Sequence, residues 1–249
     1  MYDVLIPLAE KDFNKFRFAY DSIVKYLSGF TDIHCISPVP FPKHLKISGV
    51  QYHLDKDAID FDFSVFKGKI KDRTGWYRQQ FIELFQEVTR DDYLVSDSDN
   101  IYIKKIDIYR KGKPLFLLGE DQNHGPYFRL TEKLFGFGRE FPFSFINEIM
   151  LFKRPIIKEL VASTGLTNDG FFQLIAAELN ETQENSGMAQ YELYGNYVEK
   201  YHKDLYDYRY LPFINMNKHR EWSDSEIQKE IDKYKNTECT MIKMHSWTG

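Results

Sequence analysis

The segment YLVSDSDNIYI, residues 93–103, runs from an apolar stretch into the acidic triplet Asp97-Ser98-Asp99 and out into a second apolar stretch. In extended backbone, residues i and i+2 point to the same side, so Asp97 and Asp99 can converge on one cation. Two more Asp-x-Asp triplets occur, Asp55-Lys56-Asp57 and Asp60-Phe61-Asp62, so spacing alone decides nothing. Context does. Only the triplet at 97–99 follows a buried-strand pattern, and open α/β sheets bind ligands beyond the carboxyl ends of their strands. The other two fall in the polar stretch DKDAIDFDF, which reads as exposed. An EF-hand loop needs Gly at its sixth position and Glu at its twelfth. Counted from Asp97, those positions are Tyr102 and Ile108, so that reading fails. The strand context favours a hard divalent cation held by carboxylates, with open positions for phosphate oxygens, over two solvated aspartates in a turn.

Outward from this segment the chain alternates. Upstream, GWYRQQFIELFQEV (75–88) places Tyr77, Phe81, Leu84, Phe85 and Val88 on one helical face, with Thr74 or Asp72 to cap it. YDVLIPL (2–8) reads as a buried strand stopped near Pro7, and apolar spacing predicts a helix from Asp12 to Leu27. Strands are expected over 32–37, 49–54, 114–119, 147–153 and 238–247, and helices over 154–163, 169–180 and 188–202. This is the pattern of an α/β fold with a mostly parallel sheet flanked by helices. Neither a repeat nor a linker divides it, so a single domain is expected, more irregular and helical in its second half.

Composition narrows the function. The 249 residues carry a formal charge of −4 with no basic run, which argues against a nucleic-acid coat. Aromatic residues make up 16%, so rings should fill both core and clefts. Cys35 and Cys239 lie far apart in apolar stretches. Free buried thiols are the expectation, with a disulfide left open. The start, MYDVLIPLAEKDF, has neither a basic n-region nor a long apolar h-region, and no stretch matches the roughly 18–20 apolar residues of a membrane span. A soluble, cytoplasmic protein is expected, in which the Asn180-Glu181-Thr182 sequon is incidental.

LIPLAEKD, GWYRQQ, YLVSDSDNIYI, FINEIMLFKR, YELYGNY and MHSW, in this order, resemble GT-A glycosyltransferases. More narrowly, the chain is similar to a poorly characterised family of predicted glycosyltransferases of bacteria and large DNA viruses. The likeness spans residues 2–247. It implies one GT-A domain, a Rossmann-like nucleotide-diphospho-sugar transferase fold, with residues 1–100 as the nucleotide half and 101–249 as the acceptor half. It also implies a hexosyl- or pentosyltransferase that uses Mn²⁺ or Mg²⁺ and a nucleotide-sugar donor, most simply a UDP-sugar, on a glycan or glycoconjugate acceptor.

By that resemblance Asp99 ligates the metal directly, Asp97 binds it through water or holds the ribose, and His245 is a third ligand. Ser98 sits with them at the donor. Lys243 and Trp247 touch the diphosphate and sugar. Pro7, Lys11 and Asp12 border the base. Arg78 pairs with the diphosphate or a sugar hydroxyl, Trp76 and Tyr77 pack, and Gln79 or Gln80 meets the sugar. For a general base, Glu192 leads because Tyr191, Tyr194, Asn196 and Tyr197 surround it in sequence, ahead of Glu148 and Asp169. Asn147 would face the donor sugar, and Glu120, Asp121 and His124, in the polar, turn-like loop EDQNHGPYF (120–128), would line the acceptor or sugar pocket.

Two other classes compete. A two-metal phosphohydrolase or nucleotidyltransferase would show more Asp, Glu and His at strand ends. No such set is evident, and GFGRE (136–140) lacks the Lys and spacing of a phosphate loop. A non-catalytic carbohydrate-binding protein would also suit a ring-rich surface.

Overall fold

Tyr2–Pro7 (β1) is buried at every position, as a strand covered on both faces must be. Its side chains alternate between two cores. Leu5 enters one with Phe81, Tyr93 and Val95; Val4 and Ile6 enter the other with Ile23, Leu94 and Leu151. The computed structural model describes residues 1–119, 122–218 and 221–246. Along the chain, β1 is followed by α1 (Phe16–Tyr26), β2 (Phe30–Ser37), β3 (Val50–Leu54) and the short α2 (Asp55–Ala58). Next come α3 (Thr74–Phe85), β4 (Asp92–Ser96), β5 (Asn100–Tyr102), β6 (Tyr109–Arg110) and β7 (Lys113–Leu118). Then α4 (Gly125–Phe135), β8 (Ile149–Lys153), α5 (Arg154–Ala162), α6 (Asn168–Thr182) and α7 (Gln190–Tyr201) follow. The described chain closes with β9 (Asp207–Tyr210), β10 (Phe213–Lys218), α8 (Asp224–Tyr234) and β11 (Met241–Ser246).

The main sheet runs β3-β2-β1-β4-β8. Its first four strands are mutually parallel and β8 is antiparallel to β4. Helices flank it, so the expected α/β domain with a mostly parallel sheet is what the structure has. Two three-stranded sheets complete it, β10-β11-β5 and β6-β7-β9. In the first, Lys243 of β11 opposes Asn100 of β5, and the Met244 N–H donates to the Asp99 carbonyl. That pairing ties the late strand to the acidic turn.

Several expectations need correction. DKDAIDFDF is not simply exposed: Asp55 is buried against Arg78, and Phe61 and Phe63 pack on the core beneath α3. Residues 125–128 open helix α4 rather than a loop. Pro126 stands in its first turn, and Gly136 at φ 74° ends it in the left-handed conformation. Both cysteines are free and buried. No described helix is long and apolar enough to cross a membrane.

Helix α7 presses its glycine onto an aromatic ring. A Cβ at Gly195 would stand 2.3 Å from Phe145 Cγ. Replacing an interior helical Gly with Ala ordinarily gains about 1 kcal/mol, but overpacking costs about 1–3 kcal/mol. Gly195→Ala is therefore expected to destabilise the protein, seen as a lower denaturation midpoint in urea; a raised midpoint would contradict the packing described.

Candidate metal and donor site

β4 carries the chain to the carboxyl edge of the sheet, where Asp97, Ser98 and Asp99 form the turn into β5. Two pairings bring partners to this turn. Because Ser96 of β4 opposes Ile149 of β8, the residue before β8, Glu148, lies beside Asp97. Its carbonyl accepts from the Asp97 N–H at 3.2 Å and from Asn100 Nδ2 at 2.8 Å. Glu148 has φ 55°, in the left-handed region that a side chain with a Cβ rarely adopts. The two hydrogen bonds hold it there. From the other side, β11 delivers His245, whose Nδ1 lies 3.2 Å from Asp99 Oδ2 and whose Nε2 lies 3.7 Å from Glu148 Oε1.

Asp99, Glu148 and His245 each offer a ligand atom, and these atoms all lie within 4.8 Å of one another. Glu148 Oε2 is buried without a hydrogen-bond partner, although Lys243 Nζ approaches it at 3.6 Å. Two carboxylates and one imidazole make a mostly oxygen set with one nitrogen, which fits Mn²⁺ and accepts Mg²⁺. The residues fit a divalent cation.

The groups behind the cluster are acidic too. Gln79 Nε2 donates to Asp97 Oδ1 at 3.2 Å and to Glu83 Oε1 at 2.9 Å, and Gln190 donates to the other oxygen of buried Glu83. Burial, and then the charges of Glu148, Glu83 and Asp99, push the Asp97 carboxyl well above the usual carboxylate range. Burial likewise pushes Glu83 up to about 7. Burial would also raise Asp99, but the hydrogen bond and charge of His245, with Lys15 and Lys11, bring it below its ordinary value. For His245, burial opposes protonation, and the Asp99 hydrogen bond with the Glu148 and Asp99 charges outweighs it, raising the imidazole.

The cluster opens into a cavity of about 480 Å³, lined also by Asp12, Asp72, Arg73 and Trp76. Pro7, Ala9, Lys11, Gly75, Trp76 and Gln79 line both this cavity and an adjoining cleft of about 550 Å³, which continues to Leu8, Ile36, Pro38, Asp55, Arg78 and Ile82. Among the residues expected at the donor, Pro7, Lys11, Asp12, Asp97, Ser98, Asp99 and His245 therefore share one cavity wall. Asp12 is buried, pairs with Lys15 at 2.9 Å and accepts from Ser98 Oγ at 3.2 Å.

Other expected residues sit elsewhere. Lys243 is buried against Glu148 and the Phe213 ring and does not line the cavity; it neutralises the cluster from behind. Arg78 is turned to the cleft by Asp55, away from the acidic turn. Glu192 is completely buried, accepting from Ser144 Oγ, the Phe145 N–H and Asn196 Nδ2. It braces the segment before β8 and lines neither the cavity nor the cleft. Tyr191, Tyr194 and Tyr197 around it are core residues with no face for a sugar. Asp169 is exposed in the first turn of α6, whose cap is Thr167, and borders a separate groove with Lys56 and Asp57. Asn147 is buried and donates to the Leu117 carbonyl. Gln80 is buried, accepting from the Gln190 N–H, whereas Trp76, expected only to pack, lines both hollows under the Arg73 guanidinium. His124 is spent on the Ser186 carbonyl, and Glu120, Asp121 and Trp247 lie outside the described residues.

Glu148 as a cluster member, Gln79 and Glu83 were not assigned these positions from sequence. A carboxylate immediately before a strand that can pair with the acidic strand was the available signal for Glu148.

No family model matches the chain, and no curated protein matches it. Among solved structures it is similar to mouse xyloside xylosyltransferase 1 in its apo form, with 15% identity, 97% of each chain covered and a TM-score of 0.47. It is also similar to the galactosyltransferase LgtC in complex with donor and acceptor sugar analogues, with 9% identity, 97% of this chain and 86% of that one covered, and a TM-score of 0.45. At these scores the likeness assigns no role to any residue here.

The titrating groups fix a pH dependence. Glu83 keeps its proton to about 7 when folded but loses it near 4.5 when unfolded, so its contribution to stability is full at low pH and fades as pH rises through about 7. The raised Asp97 and His245 act in the same direction. Metal-free protein is thus expected to melt lower at pH 8 than at pH 6. Because ligands must shed protons, Mn²⁺ should bind more tightly at pH 8 and release about one proton on binding, read by calorimetry in buffers of different ionisation enthalpy. Proton uptake on binding would contradict the assignment.

Proposed function

We propose that the protein is a metal-dependent glycosyltransferase of the GT-A type, moving a sugar from a nucleotide-diphosphate sugar, most simply a UDP-sugar, to a glycan or glycoconjugate acceptor. One observation carries this reading. The Asp99–Glu148–His245 cluster lies at the carboxyl ends of the parallel strands, in a cavity continuous with a cleft walled by Leu8, Ile36, Pro38 and Ile82 beside Asp55 and Arg78. A nucleoside diphosphate has the matching layout, with a charged middle and a flat base at one end.

In this reading Asp99, Glu148 and His245 hold the cation, and Asp97, fixed by Gln79, stands beside them for water or ribose. A bound Mn²⁺ or Mg²⁺ supplies Lewis-acid stabilisation of the charge that grows on the departing diphosphate. Lys11 adds positive charge on the wall shared by both hollows. Trp76 offers a ring at the mouth for a sugar to stack on. Glu148, engaged in the cluster, orients rather than takes a proton. With Glu192 buried and Asp169 in another groove, none of the three carboxylates serves as the base.

A two-metal phosphohydrolase is less well supported. Asp3, Asp32 and His34, the other metal-type grouping among the described residues, lie toward the amino ends of β1 and β2, and Asp3 is already bound by Arg90. A sugar-binding protein without transfer leaves the cleft that continues from the cluster unexplained.

UDP with Mn²⁺ is expected to raise the melting temperature by about 5–10 °C at a hundredfold excess over Kd, and Asp99→Ala to abolish the shift. A UDP-sugar screen should then show metal-dependent release of UDP. If UDP and GDP both leave the melting curve unmoved with Mn²⁺ present, the reading fails.

A further inference from the structure

Lys67, Lys69, Lys71 and Arg73 alternate through KGKIKDR (67–73), in a chain whose formal charge is −4. Lys67, Lys69 and Lys71 are exposed, and none of the three has an ion-pair partner among the described residues. Their backbone, by contrast, is held at several points. The Lys67 N–H donates to Asn180 Oδ1 at 2.7 Å, and the Lys69 N–H donates to Gln183 Oε1 at 3.0 Å. Asn180 Nδ2 donates back to the Val65 carbonyl, Arg73 donates to Ser186 Oγ, and Ile70 is buried in the core. These ties clamp the loop against the end of α6 while the lysine side chains stay in solvent. Lys67, Lys71 and Arg78 line a trough of about 720 Å³ over Phe61, Phe63 and Phe66. The acid on its wall, Asp62, has both oxygens bound by Ser64. The same loop runs on to the cation cavity, where Arg73 and Trp76 form part of the wall and the guanidinium lies 4.0 Å over the ring.

We propose that this basic lip binds an acidic carbohydrate chain as the acceptor, its carboxylate or phosphate groups on Lys67 and Lys71 and its terminal sugar at Arg73 and Trp76. The acceptor role rests on the reading of the site as a glycosyltransferase; the binding of an acidic chain in the trough does not. A hollow lined by one sign of charge concentrates ligands of the other sign. Here the trough is positive although the chain as a whole is negative, and the loop that makes it so leads to the cation cavity. A membrane surface or stacked bases would call for exposed rings or aliphatic side chains. None of the trough's rings is among the large apolar side chains that the described residues expose. A hydrated chain with pendant acids needs none. In the transfer, an acceptor hydroxyl oxygen bonds the anomeric carbon of the donor sugar as the bond from that carbon to the diphosphate breaks. The electrons of the broken bond leave with the diphosphate, and the hydroxyl proton is released to water.

The test is calorimetric titration of the full chain at low salt with three probes of one length: tetragalacturonate, its neutral methyl ester, and a phosphorylated maltotetraose. The carboxylate chain, the phosphate chain or both are expected to bind, which separates the two sources of charge, and the neutral ester to bind about tenfold more weakly or not at all. Added salt should weaken the acidic chain, because the lysines are exposed. The double variant Lys67→Gln with Lys71→Gln should lose about threefold to tenfold in affinity for the acidic chain. Its melting temperature and its binding of UDP with Mn²⁺ should stay as in the parent. Lys158→Gln with Lys229→Gln, two exposed lysines on α5 and α8, removes the same charge elsewhere and should leave the affinity unchanged. The inference is overturned if the ester binds as well as the acid, if neither acidic chain binds, or if the two double variants lose affinity equally. It is overturned too if a dT10 oligonucleotide or phosphatidylserine vesicles bind more tightly than either acidic chain. Binding of UDP with Mn²⁺ but of no acidic chain would sink this inference alone. Binding of the acidic chain in a protein that takes no nucleotide with Mn²⁺ would keep the trough and remove its acceptor role together with the transferase reading.

Discussion

Crowded negative charge at the end of β4 is the constraint around which the rest is arranged. Asp97, Asp99 and Glu148 meet there, with Glu83 one hydrogen-bonded step behind. In a site partly closed to water, such carboxylates repel one another by several kcal/mol unless protons or cations intervene. The structure supplies some relief: Lys243 buried behind Glu148, Lys15 beside Asp12, and His245 on Asp99. Burial, with the neighbouring carboxylates adding to it, still raises the Asp97 and Glu83 carboxyls. A divalent cation, in the function proposed, would complete that relief.

The fold makes that crowding possible by register. An antiparallel pairing of β8 with β4 sets Glu148 beside Asp97, and an antiparallel pairing of β11 with β5 sets His245 beside Asp99. A slip of one residue in either pair would send the ligand to the other face of its sheet. The left-handed backbone at Glu148, costing of order 1–3 kcal/mol, persists because Asp97 and Asn100 both bond its carbonyl. Charge then grades along the groove, from the cation cluster past Lys11 to an apolar slot that ends on a matched ion pair.

How much of this was legible in the sequence depends on the range of each signal. The strands of the main sheet, β7, β11, most helices, the acidic turn and the late histidine were readable, because period and order are local properties, whereas β6, β9, β10 and α8 were not anticipated. Glu148 was noticed, but its place beside Asp99 and His245 was not, since that depends on a strand pairing that no local pattern encodes. Glu192 misled for a related reason: a carboxylate among tyrosines looks like a sugar site, but here the rings are core and the carboxylate binds Ser144 and Phe145. Arg78 was located on the right helix, while its partner Asp55 lay in a segment taken for solvated surface. Helix α4 was missed although Pro126 and the spacing of Leu130 and Leu134 announce it, because His124 and Gly125 read as a turn.

Electron paramagnetic resonance of Mn²⁺ bound to the full chain tests the central claim most directly. One bound ion is expected, with nitrogen coupling from His245 that is absent in His245→Ala, and phosphorus coupling that appears when UDP is added. A spectrum unchanged from the hydrated ion, or nitrogen coupling that survives in His245→Ala, would contradict it.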